Sequence, residues 1–377
     1  MKILVVGAGF AGACYARTLA EAGCAVTVID KRGHVAGNAY DEMDGGVRVH
    51  RYGPHLFHTN NQAVVDWVLR FGEWVDYRHK VRARLPDGRL TPLPVNLQTL
   101  SDVFGETIED EAAARALLAQ KAVSIAAPAN AEEYLLSTIG PELTELFFSR
   151  YTLKMWGLPL SALDKSIVQR LPLRFDRTDE YFPNDRFQML PRHGYTRLFE
   201  TILDHPLISL RLGEAFEHGM RADHAHVFNS MPIDEYYGFR FGELPYRSIR
   251  FHHARVADDA ADFPVVNYTD SGRFTRRTVW SALPCHGAES GPEVLVTHEE
   301  PCDFADNRHE RYYPVKTVDD AVPARLRQYQ ALAAEDEGIT FIGRCGTYQY
   351  LDMHQVINQS IMGATKWLSR LRAPASP

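Results

Sequence analysis

The sequence has few cysteines and no long apolar run. Its five cysteines, among 377 residues, form no C-x-x-C motif, which favours reduced thiols over a disulfide framework. No apolar stretch approaches the ~18 residues of a membrane span. The amino-terminal "MKILVVGAG" enters a predicted strand at once, without room for a signal peptide. We therefore expect a cytoplasmic protein with no membrane partner.

Positive charge and metal-ligand motifs are scarce as well. The formal net charge is −7, which argues against a broad nucleic-acid footprint and restricts any anion site to a local group of arginines. The sequence holds no H-E-x-x-H motif and no Cys/His grouping with the spacing of zinc ligands. We predict no nucleic-acid partner and no metal site.

A glycine turn near the amino terminus indicates a dinucleotide site. Residues 3–6 are apolar, "GAGFAG" follows, and a helical stretch leads to a second apolar run that ends at Asp30. In this order Gly7 permits a tight turn, Gly9 lets the backbone approach a pyrophosphate, and Gly12 lets the helix pack on the strand. Asp30 is placed to accept hydrogen bonds from an adenosine ribose. NAD and FAD both satisfy this fingerprint.

The residues after the turn favour FAD. The continuation "DKRGHVAGNAY" is basic and contains glycine, as is more typical of FAD-binding chains. No second glycine fingerprint appears for a separately bound nicotinamide. We therefore predict an α/β fold that begins with a Rossmann-like FAD-binding domain.

The rest of the chain alternates between helical and extended patterns. From about 97 to 155 the pattern is helical, with Asn130 as an N-cap and Pro141 at a first-turn position. Extended segments flank the turns "PDG" and "DSG", and "SIRFHHARV" and "EVLVTHE" also read as strands, which predicts an antiparallel sheet. The strand "ITFIGR" and a last helix return the chain to the first domain.

These patterns predict a discontinuous FAD-binding domain with a helical domain and a sheet domain inserted into it. The segments, in chain order, are 1–78 FAD-binding, 79–96 sheet, 97–160 helical, 161–192 sheet, 193–235 FAD-binding, 236–335 sheet, and 336–377 FAD-binding.

Histidines and arginines supply the candidate polar side chains. His55 and His58 lie in "YGPHLFHTN", and histidine can donate, accept or carry charge near neutral pH. No further metal-ligating side chain lies near these two in sequence. Each is equally well explained as a loop histidine whose hydrogen bonds are satisfied within the protein. Arginines from separate segments could converge on a diphosphate, because a guanidinium fork matches phosphate oxygens. These arginines are Arg170, Arg174, Arg247, Arg276 and Arg344.

Nine motifs together resemble one family nearly from end to end. They are, in order, "GAGFAG", "YGPHLFHT", "LPVN", "YTLKMWG", "RLPLRF", "PIDEYYGFRFG", "LPYRSIRF", "YYPV" and "GTYQYLDMHQVI". The chain resembles the bacterial UDP-galactopyranose mutase family. The resemblance implies an isomerase that uses FAD, active when reduced by an external reductant such as NADPH or a reductase. It also implies a helical domain that closes over a nucleotide-diphosphate sugar, and a homodimer.

Carried over motif by motif, the resemblance assigns the site residues. It implies these FAD-binding residues: Gly7, Gly9, Phe10, Gly12, Asp30, Lys31, Arg32, Gly37, Asn38, His55, Leu56, Arg344, Asp352, Met353 and Val356. It implies these substrate-binding residues: Phe147, Tyr151, Thr152, Trp156, Arg170, Tyr181, Asn267, Arg276, Tyr313 and Tyr350. The implied catalytic residues are Arg170, Arg276, His58 and Arg344.

The resemblance also implies a mechanism, in which N5 of reduced FAD attacks the anomeric carbon while Arg170 and Arg276 stabilise the departing diphosphate. His58 or a flavin atom then moves the proton. Several motifs depart from the family, such as "YTLKMW" where "YTEKQW" is usual. The substrate therefore stays open between UDP-galactopyranose and a dTDP-linked sugar such as dTDP-fucopyranose. Alternatives of other classes are an FAD-dependent oxidoreductase of amine-oxidase type and a non-catalytic flavoprotein that binds nucleotide sugars.

Overall fold

The computed structural model describes residues 1–169, 173–257, 263–289, 291–315 and 320–372. Its strands in chain order are β1 (Lys2–Val6), β2 (Ala25–Asp30), β3 (Asp41–Asp44), β4 (Val47–His50), β5 (Phe57–Thr59), β6 (Trp74–Asp76), β7 (Val81–Arg84), β8 (Leu90–Leu93), β9 (Phe187–Pro191), β10 (Ile208–Leu212), β11 (His226–Asn229), β12 (Tyr246–Val256), β13 (Val265–Tyr268), β14 (Arg276–Val279), β15 (Val294–Asp303), β16 (Tyr313–Pro314) and β17 (Ile339–Phe341). The α-helices are α1 (Phe10–Glu21), α2 (Gln62–Leu69), α3 (Leu97–Phe104), α4 (Glu111–Lys121), α5 (Ala131–Leu143), α6 (Arg150–Trp156), α7 (Ser166–Gln169), α8 (Tyr195–Leu203), α9 (Ile233–Tyr236), α10 (Ala321–Glu335), α11 (Gly343–Thr347) and α12 (Met353–Arg372).

A parallel sheet forms the centre of the first domain. Its strand order is β10-β2-β1-β11-β17, and each neighbouring pair is parallel. Helices α1 and α12 pack together against it, and the core includes Ile3, Val5 and Ile357 with no exposed surface. Parallel strands buried in this way carry continuous apolar runs, as residues 3–6 do. The predicted Rossmann-like start and the return of the chain through β17 and α12 are confirmed.

The second large sheet is mostly antiparallel. Its order is β16-β12-β15-β14-β13-β7-β8, and it contains both predicted hairpins, β7–β8 and β13–β14. One pair, β13 with β7, is parallel. A parallel neighbour requires a long connection, and here the helical region and several further elements lie between the two strands in sequence. The sheet prediction is confirmed, with this one parallel junction added.

The helical region leads directly into the predicted base pocket. The Asn130 side chain accepts a hydrogen bond from the backbone N–H of Glu133 at 2.9 Å and caps α5, as the sequence predicts. The helix breaks at Gly140, where φ is 78° and a Cβ would lie 2.5 Å from the Lys121 carbonyl oxygen. Pro141 therefore starts a new helical turn. A π-helical segment, Thr144–Ser149, then continues into α6.

A three-stranded antiparallel sheet lies beside the first domain. In it β9 pairs with both β5 and β6. By sequence we assign 161–192 to the large sheet domain, yet its strand β9 pairs with strands of segment 1–78 instead. The paired strands are far apart in sequence, so no local sequence pattern predicts the pairing. It brings the loop before β9, which contains Asp185, next to His58 on β5.

The cysteines and the helices agree with two expectations from composition. All five cysteines are unpaired, in agreement with the reduced thiols that their spacing predicts. Across the described ranges, no helix combines the length and the apolar character that crossing a membrane requires. The predicted division into seven segments stays a prediction.

Candidate functional site

The glycine turn has the geometry of an anion cradle. A Cβ on Gly7, where φ is 101°, would lie 2.0 Å from the Ser230 Oγ, and one on Gly12 would lie 1.8 Å from the Gly7 carbonyl oxygen. A Cβ on Gly9 would meet nothing closer than the Gly37 Cα at 3.6 Å. No side chain caps the start of α1 in the described part of the chain, which leaves its first N–H groups to an anion. These residues fit a dinucleotide pyrophosphate.

Asp30 accepts hydrogen bonds from the backbone of this turn and can still accept one from a ligand. Its Oδ2 accepts from the Ala8 N–H at 2.8 Å and its Oδ1 from the Arg32 N–H at 2.9 Å. Each carboxylate oxygen retains a lone pair, so a ribose hydroxyl can still bond to it. Arg32 in turn donates to the Asn38 Oδ1 at 2.9 Å and to the Glu310 carboxylate at 2.5 Å. Asp30, Arg32 and Asn38, all predicted to bind FAD, are therefore connected by hydrogen bonds.

Several predicted cofactor residues contribute apolar surface or backbone groups. The Phe10 ring packs on Phe199 with centroids 4.5 Å apart, in the core of the first domain. Val356 is buried, and Leu56 and Met353 pack partly buried against the same core. Lys31 is exposed. The Arg344 Nε donates to the Leu351 carbonyl at 2.6 Å.

A chain of histidines supports the loop "GPHLFH". The His286 Nδ1 lies 2.9 Å from the Pro284 carbonyl, which places its hydrogen there and leaves Nε2 as an acceptor. The His50 Nε2 lies 3.1 Å from that nitrogen, and the His50 Nδ1 accepts from the His55 backbone N–H at 3.1 Å. The His55 Nδ1 bonds to the Gly53 carbonyl at 2.9 Å. One set of neutral tautomers satisfies every hydrogen bond in this series of three histidines.

Burial keeps these histidines neutral. It lowers the pKa of His286 to about 4 and that of His55 to about 4, in the latter case assisted by the charge of Arg344. Burial, together with the neighbouring His286, also holds the pKa of His50 well below its usual range. Sequence reasoning missed His50 and His286, because they lie 236 positions apart and no local motif connects them.

We expect acid to destabilise the protein before its carboxylates titrate. An unfolded histidine has a pKa near ~6.5, above the folded values, so the stability that neutral histidines contribute is complete above that pH and is lost as the pH falls toward 4. The melting temperature should therefore drop between about pH 6.5 and 5, as read by circular dichroism. His286→Gln should flatten that slope, and a wild-type melting temperature constant over this window would contradict the explanation.

His58 lies beside the first turn of α12. Its Nδ1 is 2.6 Å from the Asp185 Oδ2, and its ring stacks on Phe182 with centroids 3.6 Å apart. Potential ligand atoms of His58, Asp352 and His354 lie within 4.8 Å of one another. The expectation that no other potential metal ligand lies near the loop histidines is therefore wrong for His58, because the fold places Asp352 and His354, at the start of α12, next to it. The absence of a metal stays a prediction.

Arg276 is the cationic centre of the predicted diphosphate site. It sits on β14 between Asn267 on β13 and Glu299 on β15. Its Nε lies 3.4 Å from the Asn267 Oδ1 and its Nη1 3.5 Å from the Glu299 Oε1. Burial opposes the charge, but Glu299, Tyr151 and Tyr181 raise the Arg276 pKa overall. The guanidinium therefore stays charged, with two predicted tyrosines next to it.

Glu299 is a site residue that sequence reasoning missed. It is buried, and desolvation raises its pKa while Arg276 opposes that shift. Its Oε1 makes no hydrogen bond of good geometry within the described segments, and the Arg276 Nη1 at 3.5 Å is an ion-pair contact. Leu295, Thr297 and Glu299 alternate on β15 and are all buried, so a carboxylate at an inward position of this strand was the available signal.

Aromatic side chains gather at the end of α6. Trp156 lies edge-on to Tyr313, with centroids 5.2 Å apart, and 6.4 Å from Tyr350. The Arg344 guanidinium lies 5.1 Å from the Tyr350 ring centroid. The Tyr313 hydroxyl donates to the Met155 carbonyl at 2.5 Å, so it has a backbone partner rather than a free donor. Phe147 and Thr152, also predicted for this pocket, are buried nearby in sequence.

Two of the predicted arginines bind backbone carbonyls and have structural roles. Arg247 donates to the carbonyls of Met155 and Lys154 at 3.0 and 3.1 Å, and so fixes the end of α6. Arg174 donates to two carbonyls in the segment 180–181. Neither converges on a diphosphate as the sequence allowed. Arg170 lies outside the described residues.

Comparison with known proteins places this geometry in a family. The family model for UDP-galactopyranose mutase matches residues 146–350, and that for the NAD(P)-binding Rossmann-like domain matches 5–71. The chain is 40% identical over 375 residues to the "Probable UDP-galactopyranose mutase" of Klebsiella pneumoniae, covering 98% of this chain and 95% of that one. It is 37% identical over 371 residues to the dTDP-fucopyranose mutase of Escherichia coli, covering 96% of each.

Solved structures share the fold at low identity. A crystal structure of reduced UDP-galactopyranose mutase matches with a TM-score of 0.74 at 16% identity, covering 98% of this chain and 96% of that one. Wild-type putrescine oxidase bound to putrescine matches with a TM-score of 0.55 at 13% identity, covering 98% and 100%. Identities this low show a common architecture and do not distinguish a mutase from an oxidase.

Proposed function

The chain belongs to the UDP-galactopyranose mutase family, and from that premise we propose that it converts UDP-galactopyranose into UDP-galactofuranose. It is an isomerase that interconverts pyranose and furanose forms of a nucleotide sugar. Arg276 is the observation that carries the proposal for this chain. It keeps its charge between Glu299 and the tyrosines Tyr151 and Tyr181, which suits a diphosphate leaving group.

We propose FAD, active in its reduced state, as the cofactor. The cradle at Gly9, the start of α1 and the carboxylate of Asp30 would hold its pyrophosphate and ribose. His55, Arg344 and the start of α12 would lie beside its ring system. The positive end of the α12 dipole favours negative charge on a reduced flavin.

Gly9 offers a direct test of this cofactor site. Gly9→Val should abolish FAD binding while the fold persists, because its Cβ meets no atom closer than 3.6 Å but its side chain would fill the cradle. Absorbance near 450 nm and circular dichroism of the purified protein measure the two properties. Gly12→Val is the contrasting variant: its Cβ would lie 1.8 Å from a backbone oxygen, so the fold itself should be lost. A folded Gly9→Val protein that still binds FAD would show that the cofactor does not bind at this cradle.

The chain's own groups have separable roles in the proposed reaction. The residues of the cradle, Gly9 and Asp30, would hold a reduced FAD, which would supply the nucleophile for the anomeric carbon. Arg276 stabilises the diphosphate as it departs, together with Arg170 as the family resemblance implies. Arg344, whose guanidinium is 5.1 Å from the Tyr350 ring centroid, would lie between that ring and the flavin. His58 carries the proton that ring opening and closing move.

Trp156 tests the proposed base pocket. Trp156→Ala should weaken the binding of UDP by ~1–3 kcal/mol, the value of stacking a base on an aromatic ring. Isothermal titration with UDP and with dTDP measures this. Leu153→Ala on the same helix is the matched control, since Leu153 is 52% exposed and its truncation should leave affinity unchanged. Equal affinities in Trp156→Ala and wild type would remove Trp156 from the pocket.

A second substrate has specific support. The dTDP-fucopyranose mutase of Escherichia coli is nearly as similar to this chain as the Klebsiella protein is. Met155 in "YTLKMW" also replaces a polar side chain of the usual family motif. Dithionite-reduced enzyme incubated with UDP- and dTDP-sugars, followed by chromatographic separation of pyranose from furanose, decides between the two. No furanose from any sugar would contradict the proposed activity.

We also propose the cellular setting that the family resemblance implies. The enzyme would act in the cytoplasm as a homodimer, with NADPH or a reductase as the external reductant. Its galactofuranose product would enter the biosynthesis of a cell-surface polysaccharide. Size-exclusion chromatography with light scattering measures the assembly directly.

A further inference from the structure

We propose that Asp185, itself oriented by Asn60, fixes the tautomer of His58 so that the His58 Nε2 can accept and return the proton. This rests on the proposed function, in which His58 is the proton carrier. Asp185 and Asn60 are then positioning residues that act through His58.

The contact between Asp185 and His58 defines one tautomer. The His58 Nδ1 lies 2.6 Å from the Asp185 Oδ2, and a carboxylate can only accept. The hydrogen of a neutral His58 is therefore on Nδ1. Within the described part of the chain no hydrogen bond engages Nε2, which keeps its lone pair. The His58 side chain is 13% exposed and is stacked on Phe182, so the ring has little freedom to turn.

Asn60 fixes the orientation of the Asp185 carboxylate. The Asn60 Nδ2 donates to the Asp185 Oδ1 at 2.9 Å and to the Asn184 carbonyl at 3.0 Å. The Asn60 Oδ1 accepts from the Arg186 N–H at 2.8 Å. Three bonds thus determine which end of the Asn60 amide faces Asp185, and that end is a donor. Asp185 thus orients His58 as the third member of a catalytic triad orients the base.

His58 also lies next to the start of α12, where the flavin ring of the proposed function would bind. Its ring lies edge-on to His354, with centroids 5.4 Å apart, in the first turn of α12. Contraction of a hexopyranose removes one proton from the hydroxyl that closes the smaller ring. It adds one proton to the oxygen released when the larger ring opens. Because opening precedes closure, the Nε2 of neutral His58 would first accept the proton that the attacking N–H nucleophile loses and pass it to the released oxygen. It would then accept the proton of the closing hydroxyl and return it to the nucleophile, so both steps balance with no oxidant or further reactant.

Asp185→Asn gives a sharp prediction. Because Asn60 presents a donor, the new amide must turn its oxygen toward Asn60 and its NH2 group toward His58. That NH2 group would donate to Nδ1 and move the hydrogen of His58 to Nε2. In the serine protease triad the equivalent exchange lowers kcat about 10⁴-fold by the wrong tautomer. Here we expect kcat to fall by about a hundredfold, with FAD content and UDP affinity unchanged.

A second substitution should partly reverse the first. Asn60→Ala in the Asp185→Asn background removes the donor that orients the amide, so its oxygen can again accept from His58 Nδ1. We expect the double variant to be about tenfold more active than Asp185→Asn alone. Asn60→Ala alone removes one bond that orients Asp185 and should lower kcat only a few-fold, since the contact of Asp185 with His58 persists. Asp176→Asn, an exposed carboxylate nearby in sequence, controls for the loss of charge.

Chemical labelling supplies a readout that does not depend on turnover. Diethyl pyrocarbonate acylates an imidazole nitrogen that has a free lone pair, and peptide mapping by mass spectrometry locates the adduct. Holoenzyme should label at His58, and Asp185→Asn should label there several-fold more slowly. Exposed His193 provides the internal reference.

The outcomes separate this inference from the proposed function. A wild-type enzyme without mutase activity would refute the function, while the labelling would still report the tautomer. Wild-type turnover or labelling in Asp185→Asn would overturn the role of Asp185. A double variant no better than Asp185→Asn, with its FAD content intact, would overturn the role of Asn60.

Discussion

Arg276→Ala is expected to lower kcat/KM at least tenfold, and up to about a hundredfold, while FAD stays bound. A hydrogen bond to a charged group contributes ~1.5–3 kcal/mol, and ~1.4 kcal/mol corresponds to a factor of ten. The Arg276 guanidinium is held by Glu299 and Asn267 at the junction of three strands, so other charges cannot readily move into its place. Steady-state kinetics with the reduced enzyme measure the effect.

A loss of stability must be separated from a loss of catalysis in this variant. Without Arg276, the Glu299 carboxylate stays buried with no cation beside it, which should reduce the free energy of unfolding by ~1–3 kcal/mol. Adding Glu299→Gln removes that buried charge, so the double variant should recover stability but not turnover. Arg273→Ala in the same hairpin is the matched control, because the Arg273 side chain is 65% exposed. Wild-type kinetics in Arg276→Ala would remove this residue from the diphosphate site.

The parts of the fold that could be predicted are those with local signals. The strand, glycine turn and helix of residues 2–21 follow from an apolar run, three glycines and a helical pattern that are contiguous in sequence. The hairpins β7–β8 and β13–β14 follow from "PDG" and "DSG" between extended segments. In each case the residues that decide the structure lie within a few positions of one another.

The parts that could not be predicted depend on contacts between distant segments. The parallel pair β13–β7 and the pairing of β9 with β5 carry no turn signal. The same holds for the site: Asp185 reaches His58 across 127 positions because β9 pairs with β5. The resemblance named His58 and Arg276, but not the carboxylates that hold them, since a motif contains only neighbours in sequence.

The largest expected effect concerns the oxidation state of the cofactor. We predict that the enzyme with oxidised flavin is nearly inactive, and that one reduction with dithionite supports many turnovers. Interconversion of pyranose and furanose changes which hydroxyl closes onto the anomeric carbon and changes no oxidation state. On the proposed mechanism, reducing equivalents would therefore make the flavin nucleophilic and would not be consumed.

The ratio of product formed to reductant added distinguishes the remaining classes of function. A mutase should give far more than one furanose per flavin under anaerobic conditions. An oxidoreductase of amine-oxidase type, whose fold this chain shares, should instead consume an electron acceptor in proportion to product. A flavoprotein that only binds the sugar should give none in either state. Product equal to the reductant supplied would indicate net redox chemistry, and the residues around Arg276 would then need a role other than stabilising a departing diphosphate.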